Sequence, residues 1–487
     1  MLSRDLWAAG SEMIVAAGAI LILLGEVVSR RPQPGWAYRT ALVVTTAAVL
    51  LLAAGILGRT GVYWHGTLVN DPLARFLDIV ATAITFLILV YTRPNLIRSG
   101  LERAEHYFLV LTALLGVLVV VSGGNLLTLY LGLELLALSL YALIAIDRRR
   151  PLGAEAAMKY FVLGAMASAL LLYAFSFLYG LAGSFRLDVV ARVLAAHPSS
   201  PLTVAAVAFI VVALAFKFGA VPLHFWVPDV YEGAPTSVTL LVGTVPEIAS
   251  IALFVRLLGL GLGPVAPDWG ALLAVASVLS LLVGNLLALP QTNVRRLLGY
   301  SAVGHVGFIL LAFQLADRGG EAAAVYYTVV YVLMSGAAFG GLVLLEAQGE
   351  RATSVEDLGG LASRRPWMAF FMLCALFSLA GVPPFLGFWA KLIVLRRVIM
   401  AHETGLAIFA VLMAVVAAYY YLRVVKAMYF DPPPAAAAVG EFKEETIPRM
   451  GTARLWLALN ALGLLILGVV PDGLWQTCRT AMSTLLR

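Results

Sequence analysis

The sequence contains little charge. Asp, Glu, Lys and Arg together make up 12% of its 487 residues, whereas 62% of the residues are hydrophobic. Soluble domains carry about 25% charged residues, so a soluble globule could not bury this much apolar surface. A separate soluble domain is also excluded, because the longest polar stretch, about 430–452, has the length and composition of a surface loop. The composition therefore indicates a protein whose apolar surface faces a lipid bilayer.

Residues that bind cofactors and metals are equally scarce. The two cysteines, Cys374 and Cys478, are far apart and form no CxxC pair, no iron–sulfur spacing and no disulfide framework. The histidines show no metal-ligand clustering, and the chain has no Walker loop and no GxGxxG between a strand and a helix. We therefore predict no catalytic residue, no metal site and no cofactor site in this chain, although haem or quinone ligation stays open. The net charge of +6 comes from arginines in short loops, so no nucleic-acid partner is expected.

Long apolar runs are abundant. Each is close to the roughly 20 residues that a helix needs to cross a bilayer, and none alternates apolar and polar residues as barrel strands do. The pattern predicts an all-α polytopic membrane protein of about fourteen transmembrane helices, in which 1–487 form a single integral membrane domain. The expected spans are 10–28, 40–58, 73–92, 106–121, 124–146, 155–182, 203–225, 237–259, 270–289, 297–315, 321–346, 367–395, 405–429 and 453–471.

The arginines predict the orientation. If the N-terminus is non-cytoplasmic, the cytoplasmic loops hold most of the basic residues, as the positive-inside rule requires. These are Arg30, Arg31, Arg39, Arg93, Arg98, Arg103, Arg148, Arg149, Arg150, Arg295, Arg296, Arg364 and Arg365. The opposite loops hold Arg59, Arg186, Arg192 and Arg318, with Arg396 and Arg397 as the exception. We therefore expect both termini on the non-cytoplasmic side.

Two predicted spans share an interruption. Residues 219–226 of the seventh span resemble 381–389 of the twelfth, since both combine Gly and Pro with a following Phe-Trp. Pro222 and Pro384 should break these helices, and such breaks occur in membranes only where protein or water satisfies the freed backbone groups. Their spacing predicts two inverted five-helix repeats, 106–259 and 270–429, flanked by 1–92 and 453–487. Ordinary proline kinks are the alternative.

The charged residues inside the predicted spans are few and chemically distinctive. Only five lysines occur, and three of them, Lys159, Lys217 and Lys391, fall in apolar runs. A charge at the membrane centre costs roughly 2.5–3.5 kcal/mol, and a lysine, unlike an arginine, can release its proton when it is desolvated. Together with acidic and histidine residues at similar depth, the lysines predict a proton path. Its expected members are Glu134, Lys159, Lys217, His224, Glu247, His305 and Lys391.

Several of these residues have other possible roles. Glu134 and Lys159 could form one structural ion pair. His224 could cap the broken helix, and His305 could be a hydrogen-bonded core residue. Four acidic residues are left outside the predicted path: Asp78 and Glu26 are expected at the membrane interface, and Asp229 and Glu232 are expected to face water or cap the next helix.

Five stretches resemble the antiporter-like membrane subunits of respiratory complex I, and above all the N subunits. They are 124–141, 155–164 (EAAMKYFVLG), 216–236, 291–308 and 380–391. The resemblance implies proton translocation in the membrane arm, driven by quinone reduction elsewhere. It implies that Glu134 pairs with Lys217, and that Lys391 is the terminal proton exchanger. It also places NADH, FMN, iron–sulfur clusters and quinone in partner subunits, with the K and M subunits as neighbours in the bacterial plasma membrane.

One residue departs from the family pattern. The eighth helix of the family usually carries lysine after its proline, whereas this chain has Pro246 followed by Glu247. Three other readings therefore stay open: a subunit of a multisubunit Na⁺/H⁺ antiporter, a related complex with a different electron donor, and a non-conducting membrane scaffold. The lysines inside the spans argue against the scaffold.

Overall fold

The computed structural model of the protein describes residues 7–28, 34–57, 60–434 and 450–485. Twelve of its helices are long and apolar enough to cross a membrane, and two shorter apolar helices occupy the places of the seventh and twelfth predicted spans. The expected all-α membrane fold is confirmed, while the count of about fourteen spans stays a prediction. Arg30, Arg31 and Arg59 lie outside the described residues, as does the 435–449 part of the expected loop.

The first part of the chain forms a helical layer with one small hairpin. Its helices are α1 Gly10–Val28, α2 Pro34–Ala53, α3 Pro72–Ser99, α4 Ala104–Val121, α5 Leu126–Ile144, α6 Pro151–Ala182 and α7 Leu187–Ala196. Between α2 and α3, strands β1 Gly61–Tyr63 and β2 Leu68–Asn70 pair antiparallel, with Val62 opposite Val69. Sequence reasoning missed this hairpin because each strand has three residues, too few to produce a period.

The middle of the chain contains the most segmented helices. They are α8 Pro201–Lys217, α9 Trp226–Gly233, α10 Thr236–Val242, α11 Val245–Leu253, α12 Ala266–Ala288, α13 Val294–Phe313 and α14 Arg318–Ala347. A π-helical segment, Phe254–Gly261, continues α11. The eighth predicted span is thus interrupted between α10 and α11, a third break that sequence analysis did not predict.

The last part completes the bundle. Its helices are α15 Leu361–Arg364, α16 Pro366–Ala380, α17 Leu386–Met400, α18 Thr404–Phe430, α19 Met450–Val469 and α20 Asp472–Ser483. Helices α16 and α17 are the two halves of the twelfth predicted span, as α8 and α9 are of the seventh.

The core lies around two of these elements. In both Thr236–Gly261 and Arg318–Ala347, 94% of the most apolar stretch is buried, against 28% for Thr404–Phe430. Outer helices expose large apolar side chains such as Leu412 and Val415, which suits contact with lipid. The segment that carries Glu247 therefore runs through the centre of the bundle, where any charge is shielded from lipid.

Both predicted breaks are stabilised locally, as backbone in a membrane must be. In the first break, Gly219 adopts the left-handed conformation (φ +68°), and Ser280 Oγ accepts a hydrogen bond from the Val221 amide at 2.9 Å. In the second break, Gly381 is left-handed (φ +84°), and the Ser378 hydroxyl accepts from the Gly387 amide at 3.1 Å. A serine on a helix thus replaces part of the missing helical bonding in each case.

Candidate proton-transfer site

The first predicted lysine lies at the end of a half-helix. Lys217 is the last residue of α8, and its side chain is 9% exposed. Its Nζ lies 3.9 Å from Oε1 of Glu134 on α5. At that distance a direct charge-assisted hydrogen bond, normally 2.7–2.9 Å, is not formed.

A serine completes this arrangement. Ser168 on α6 donates its hydroxyl proton to Oε1 of Glu134 in a very short hydrogen bond, and its Oγ accepts a hydrogen bond from Lys217 Nζ at 3.4 Å. A hydroxyl can donate once and accept twice, so Ser168 connects the cation to the carboxylate. We call these three residues the serine-bridged group. Sequence analysis missed Ser168 because nothing in an apolar helix distinguishes one serine from another.

Lys159 lies elsewhere. Its side chain is 44% exposed and forms ion pairs with Oε1 of Glu155 at 2.8 Å and Oδ2 of Asp229 at 2.7 Å. The alternative of a Glu134–Lys159 ion pair is wrong in this structure. The expectation that Lys159 lies among the buried charges is also wrong. The reason is that Lys159 lies on a face of α6 that the other helices leave partly uncovered, where it pairs with Glu155 and Asp229.

The partners of Lys159 belong to a larger surface cluster. Asp229 also pairs with Arg296 at 2.8 Å, and Arg296 pairs with Glu232 at 3.0 Å. The two acids were expected to face water or cap a helix, and they instead connect α6, α9 and α13. A cavity of about 140 Å³ lies between these side chains.

The second predicted lysine has different surroundings. Lys391 on α17 is 7% exposed. Its Nζ donates to the carbonyl oxygens of Leu379 at 3.0 Å and Ala380 at 2.8 Å. These carbonyls end α16, where the helix dipole favours a cation. Among the described residues, no carboxylate lies within 4 Å of this amine.

Aromatic and hydroxyl groups surround the approach to Lys391. Its Nζ lies 5.6 Å from the ring centre of Phe308, one helical turn from His305 on α13. His305 is buried, with Nδ1 2.8 Å from the Tyr327 hydroxyl and Nε2 3.1 Å from the Tyr421 hydroxyl. Tyr421 in turn shares a very short hydrogen bond with Ser301. His305 is therefore a hydrogen-bonded core residue, as the alternative expected. Both of its partners are hydroxyl groups, which can exchange protons.

Glu247 lies on the central segment. It is buried in the first turn of α11, where a carboxylate is favoured by the helix dipole. Its Oε2 has no hydrogen-bond partner among the described residues. Tyr331 and Tyr231 both interact electrostatically with it. The ring of Tyr331 lies 5.1 Å from that of His305, so Tyr331 is a neighbour of both Glu247 and the histidine.

His224 lies in the first break. It is buried, its ring interacts with the backbone of Pro222, and its Nδ1 has no partner in the described part of the chain. The capping alternative therefore accounts for only one of its two nitrogens. The ring centre of Tyr300 is 6.5 Å away.

Six of the seven predicted residues are thus inside the bundle, and five of them form two groups, with His224 in neither. Glu134 and Lys217 are joined by Ser168. Glu247, His305 and Lys391 are joined through Tyr331 and Phe308 contacts, and the described side chains form no direct hydrogen bond between the two groups. Sequence reasoning missed the tyrosines, although hydroxyls at 327, 331, 420 and 421 inside apolar runs could have indicated a polar interior.

The interface position expected of Asp78 stays a prediction, but its surroundings are those of a core residue. Its side chain is 1% exposed, and it faces the interior from α3. Glu26, by contrast, is only half-buried.

A further buried charge was not noticed in the sequence. Arg256, in the π-helical segment, pairs with Asp71 at 2.5 Å, and both are almost fully buried.

The largest cavities lie away from the lysines. One of about 520 Å³ is lined by Arg186, Asp188, Arg192 and Arg318 near the β-hairpin. Burial raises the pKa of Asp188, but the hydrogen bonds and charge of Arg186 outweigh that effect and hold it below its usual range. This cavity does not reach the candidate path.

Comparison with known proteins gives a consistent result. The family described as the transmembrane region of NADH:quinone oxidoreductase/Mrp antiporter matches residues 123–417. NADH-quinone oxidoreductase subunit N of Methylovorus glucosotrophus is 44% identical over 484 residues, which cover 99% of each chain. These matches include both breaks and both lysines.

Solved structures agree with the fold. A chain of respiratory complex I from Thermus thermophilus with bound aureothin superposes with a TM-score of 0.78 at 32% identity, covering 96% of this chain and 98% of that one. A chain of the Mrp complex from Dietzia sp. DQ12-45-1b superposes with a TM-score of 0.84, but at 22% identity it shows the fold alone. The chain therefore belongs to the NADH-quinone oxidoreductase subunit N family of antiporter-like membrane subunits.

Proposed function

We propose that this chain carries protons across the membrane as the N subunit of a respiratory NADH:quinone oxidoreductase. The observation that carries the proposal is the setting of Lys391, a buried amine bound to two carbonyl oxygens and to no described carboxylate. A neutral amine keeps two N–H groups, so it can still donate to both carbonyls, although these bonds are weaker than those of an ammonium. The site therefore tolerates both protonation states, which a proton exchanger requires.

The serine-bridged group supports the entry half of the path. Lys217 is stabilised as a cation while Glu134 is charged, and it is left desolvated and unpaired once Glu134 is protonated. Protonation of Glu134 therefore favours release of the Lys217 proton. Ser168 can hand a proton between the two because its hydroxyl contacts both.

The exit half follows the central segment. A proton that leaves Lys217 is accepted by Glu247 through water, which is needed because no described side chain joins them. It then passes through water to His305, beside Tyr331, and through water again from His305 to Lys391, beside Phe308. Each group returns to its starting protonation state when the next one accepts the proton. Lys159, on the exposed cluster with Asp229, and His224, beside Pro222, would then serve at the entrance rather than along this chain.

The wider setting follows from the family. We propose that electrons travel only through partner subunits, which would hold the NADH, FMN, iron–sulfur and quinone sites, and that this chain contains no redox site. The K and M subunits would be its neighbours, in a bacterial plasma membrane with both termini outside. The matching glycines and serines at the two breaks support the two inverted repeats, 106–259 and 270–429.

Proton rather than sodium transport is favoured by the side chains present. Sodium needs a cage of oxygen ligands, and among the described residues no group of three or more His, Cys, Asp or Glu is placed to hold a metal ion. Amines, tyrosine hydroxyls and imidazoles line the candidate path instead.

The test is proton pumping by the intact complex in proteoliposomes. Lys217→Ala and Lys391→Ala should each reduce the pumping rate at least about tenfold, equal to about 1.4 kcal/mol of barrier, with assembly retained. Lys426→Ala is the matched control, because Lys426 pairs with Asp431 at the surface and is 67% exposed. Normal pumping by both interior variants would contradict the proposal, and sodium-dependent transport would support the antiporter alternative.

A further inference from the structure

A second set of buried charged residues lies far from the lysines, at the end of the bundle that carries the β-hairpin. At its centre, Arg256 donates from Nη1 to Oδ2 of Asp71 at 2.5 Å and from Nη2 to Oδ1 at 3.0 Å. Its Nε and Nη2 also donate to the carbonyl oxygen of Val121 at 3.2 and 3.1 Å. The guanidinium is therefore fully engaged by one carboxylate and one carbonyl.

Two more carboxyl groups lie beside this pair. Glu12 on α1 is buried, and its Oε2 accepts a hydrogen bond from Ser11 at 2.9 Å. The Ser122 hydroxyl lies 2.8 Å from its Oε1 and 2.9 Å from the carbonyl oxygen of Leu118. Asp78 on α3 is 1% exposed, and its Oδ1 has no partner in the described part of the chain. Asp78 interacts electrostatically with Glu12, Asp71 and Arg256.

The charges in this set do not balance. Asp71 neutralises Arg256, so Glu12 and Asp78 would together carry two negative charges, and no cation among the described residues forms an ion pair with either. Two carboxylates that share a buried site cannot both ionise at modest cost, and burying an unpaired carboxylate is costly. A single proton resolves both problems.

The hydrogen bonds indicate where that proton lies. Glu12 accepts the hydroxyl proton of Ser11, which stabilises an ionised carboxylate. Asp78 has an oxygen with no donor, and one turn along α3 the Thr82 hydroxyl is also buried without a partner. The unpartnered oxygen and hydroxyl suit a neutral Asp78 carboxylic acid rather than a carboxylate.

We propose that Glu12 and Asp78 form a second proton-holding site, which keeps one proton between two carboxyl groups and exchanges it with water through Glu12. Glu12 lines a cavity of about 380 Å³ together with Trp64, Thr67 and Ser122, so water can reach its carboxylate. Uptake of one proton changes the net charge of the two carboxyls from −2 to −1, and release to the cavity restores it. The charged groups facing this site are Asp71 on the N-cap of α3 and Arg256 on the π-helical segment.

The Glu12–Asp78 site is connected to the candidate proton path through the central segment that carries both Arg256 and Glu247. Arg256 is nine residues beyond Glu247 on the same central segment, Thr236–Gly261. A change of charge at Asp78 therefore acts on the end of the helix that carries Glu247. This role in translocation rests on the proposed function above, whereas the holding of a proton does not.

The first experiment tests the proton itself and needs no turnover. Dicyclohexylcarbodiimide adds to a protonated carboxylic acid, whose proton moves to nitrogen while its oxygen bonds to the carbodiimide carbon. We expect mass spectrometry of the labelled complex at neutral pH to find an adduct on Asp78 or Glu12, absent in a Glu12→Gln/Asp78→Asn double variant. Glu26, on the same helix as Glu12 but half-buried, is the internal reference and should stay unlabelled. Absence of adduct on both Glu12 and Asp78 would overturn the proposal.

The second experiment tests the connection. Asp78→Asn mimics the neutral acid in shape and removes the exchangeable proton. We expect this variant to assemble normally and to lose about twofold or more of its pumping rate, with Glu26→Gln unchanged. A labelled site whose Asp78→Asn variant pumps normally would overturn its part in translocation. If Lys217→Ala and Lys391→Ala both pumped normally while Asp78 was still labelled, the proposed function would fail and the proton-holding site would stand.

Discussion

The two broken helices place their lysines in opposite ways. Lys217 ends the first half of its helix and approaches a carboxylate through a serine. Lys391 lies in the second half of its helix, and its amine donates back to the carbonyls that end the first half. The same interruption therefore produces one amine stabilised by a side-chain charge and another stabilised by backbone dipoles.

This difference determines which groups control the protonation of each lysine. The protonation of Lys217 depends on the state of Glu134, a titratable group. Carbonyls do not titrate, so the protonation of Lys391 depends on what approaches it from the side of His305. Lys217 can therefore gain or lose its proton when Glu134 changes its charge. Lys391 changes its protonation state only when a proton reaches it from the side of His305.

The strongest test of the comparison is Lys391→Arg. The guanidinium keeps the charge and can donate to the same carbonyls, but it does not release its proton. We expect pumping to fall about tenfold or more, with thermal stability close to that of the unmodified complex. Pumping at the normal rate would show that Lys391 acts only as a fixed charge.

Glu247→Lys should have the next largest effect. It restores the residue usual in the family, but it places a cation in the first turn of α11, where the helix dipole costs about 0.3–1 kcal/mol, among tyrosines rather than carboxylates. We expect a several-fold loss of pumping per NADH oxidised, measured with a pH-sensitive dye. Unchanged coupling would mean that the acid at this position has no special function.

A double-mutant cycle separates the two lysines. Glu134→Gln combined with Lys217→Met should show a coupling energy of about 1 kcal/mol in thermal stability, within the range for contacting residues. The partial exposure of Glu134, 24%, keeps the value low. Glu134→Gln combined with Lys391→Met should show none. Equal coupling in both cycles would remove the distinction between the two settings.

Ser168→Ala should give the smallest effect. It removes the hydroxyl that joins Lys217 to Glu134 and leaves their charges 3.9 Å apart. We expect a loss of pumping of about twofold to threefold, roughly 0.5 kcal/mol, with an altered pH profile. Ser168→Thr should restore both, because it returns the hydroxyl. A profile that is unchanged in the alanine variant would make Ser168 a packing residue.

Sequence reasoning predicted those features that depend on local pattern. Continuous apolar runs identified the helices, and Gly with Pro identified the breaks at Pro222 and Pro384. The Lys217 and Lys391 positions followed from the same local signals.

Features that depend on distant packing were not predictable. Ser168 and Tyr331 became important only because other helices bring Glu134 and His305 to them. The exposure of Lys159 depends on which face of α6 the other helices cover, and the burial of Asp78 depends on the position of α1. The break before Val245 does carry Gly243 and Pro246 at the spacing of Gly219 and Pro222, but no Phe-Trp pair follows them, and this signal was overlooked.

The tryptophans at the two breaks differ in how far their partners lie along the chain. The Trp226 indole donates to the Phe216 carbonyl at 2.9 Å, ten residues earlier. The Trp389 indole donates to the Gly468 carbonyl at 2.6 Å on α19, 79 residues later. Because chains are synthesised from the N-terminus, the first break can be completed once Ser280 on α12 has been made, whereas the second must wait for the last long helix. The Lys391 site is therefore the later of the two to be completed. A truncation before Gly468 would leave the Lys217 break intact, but it would remove the carbonyl that accepts the Trp389 hydrogen bond at the Lys391 break.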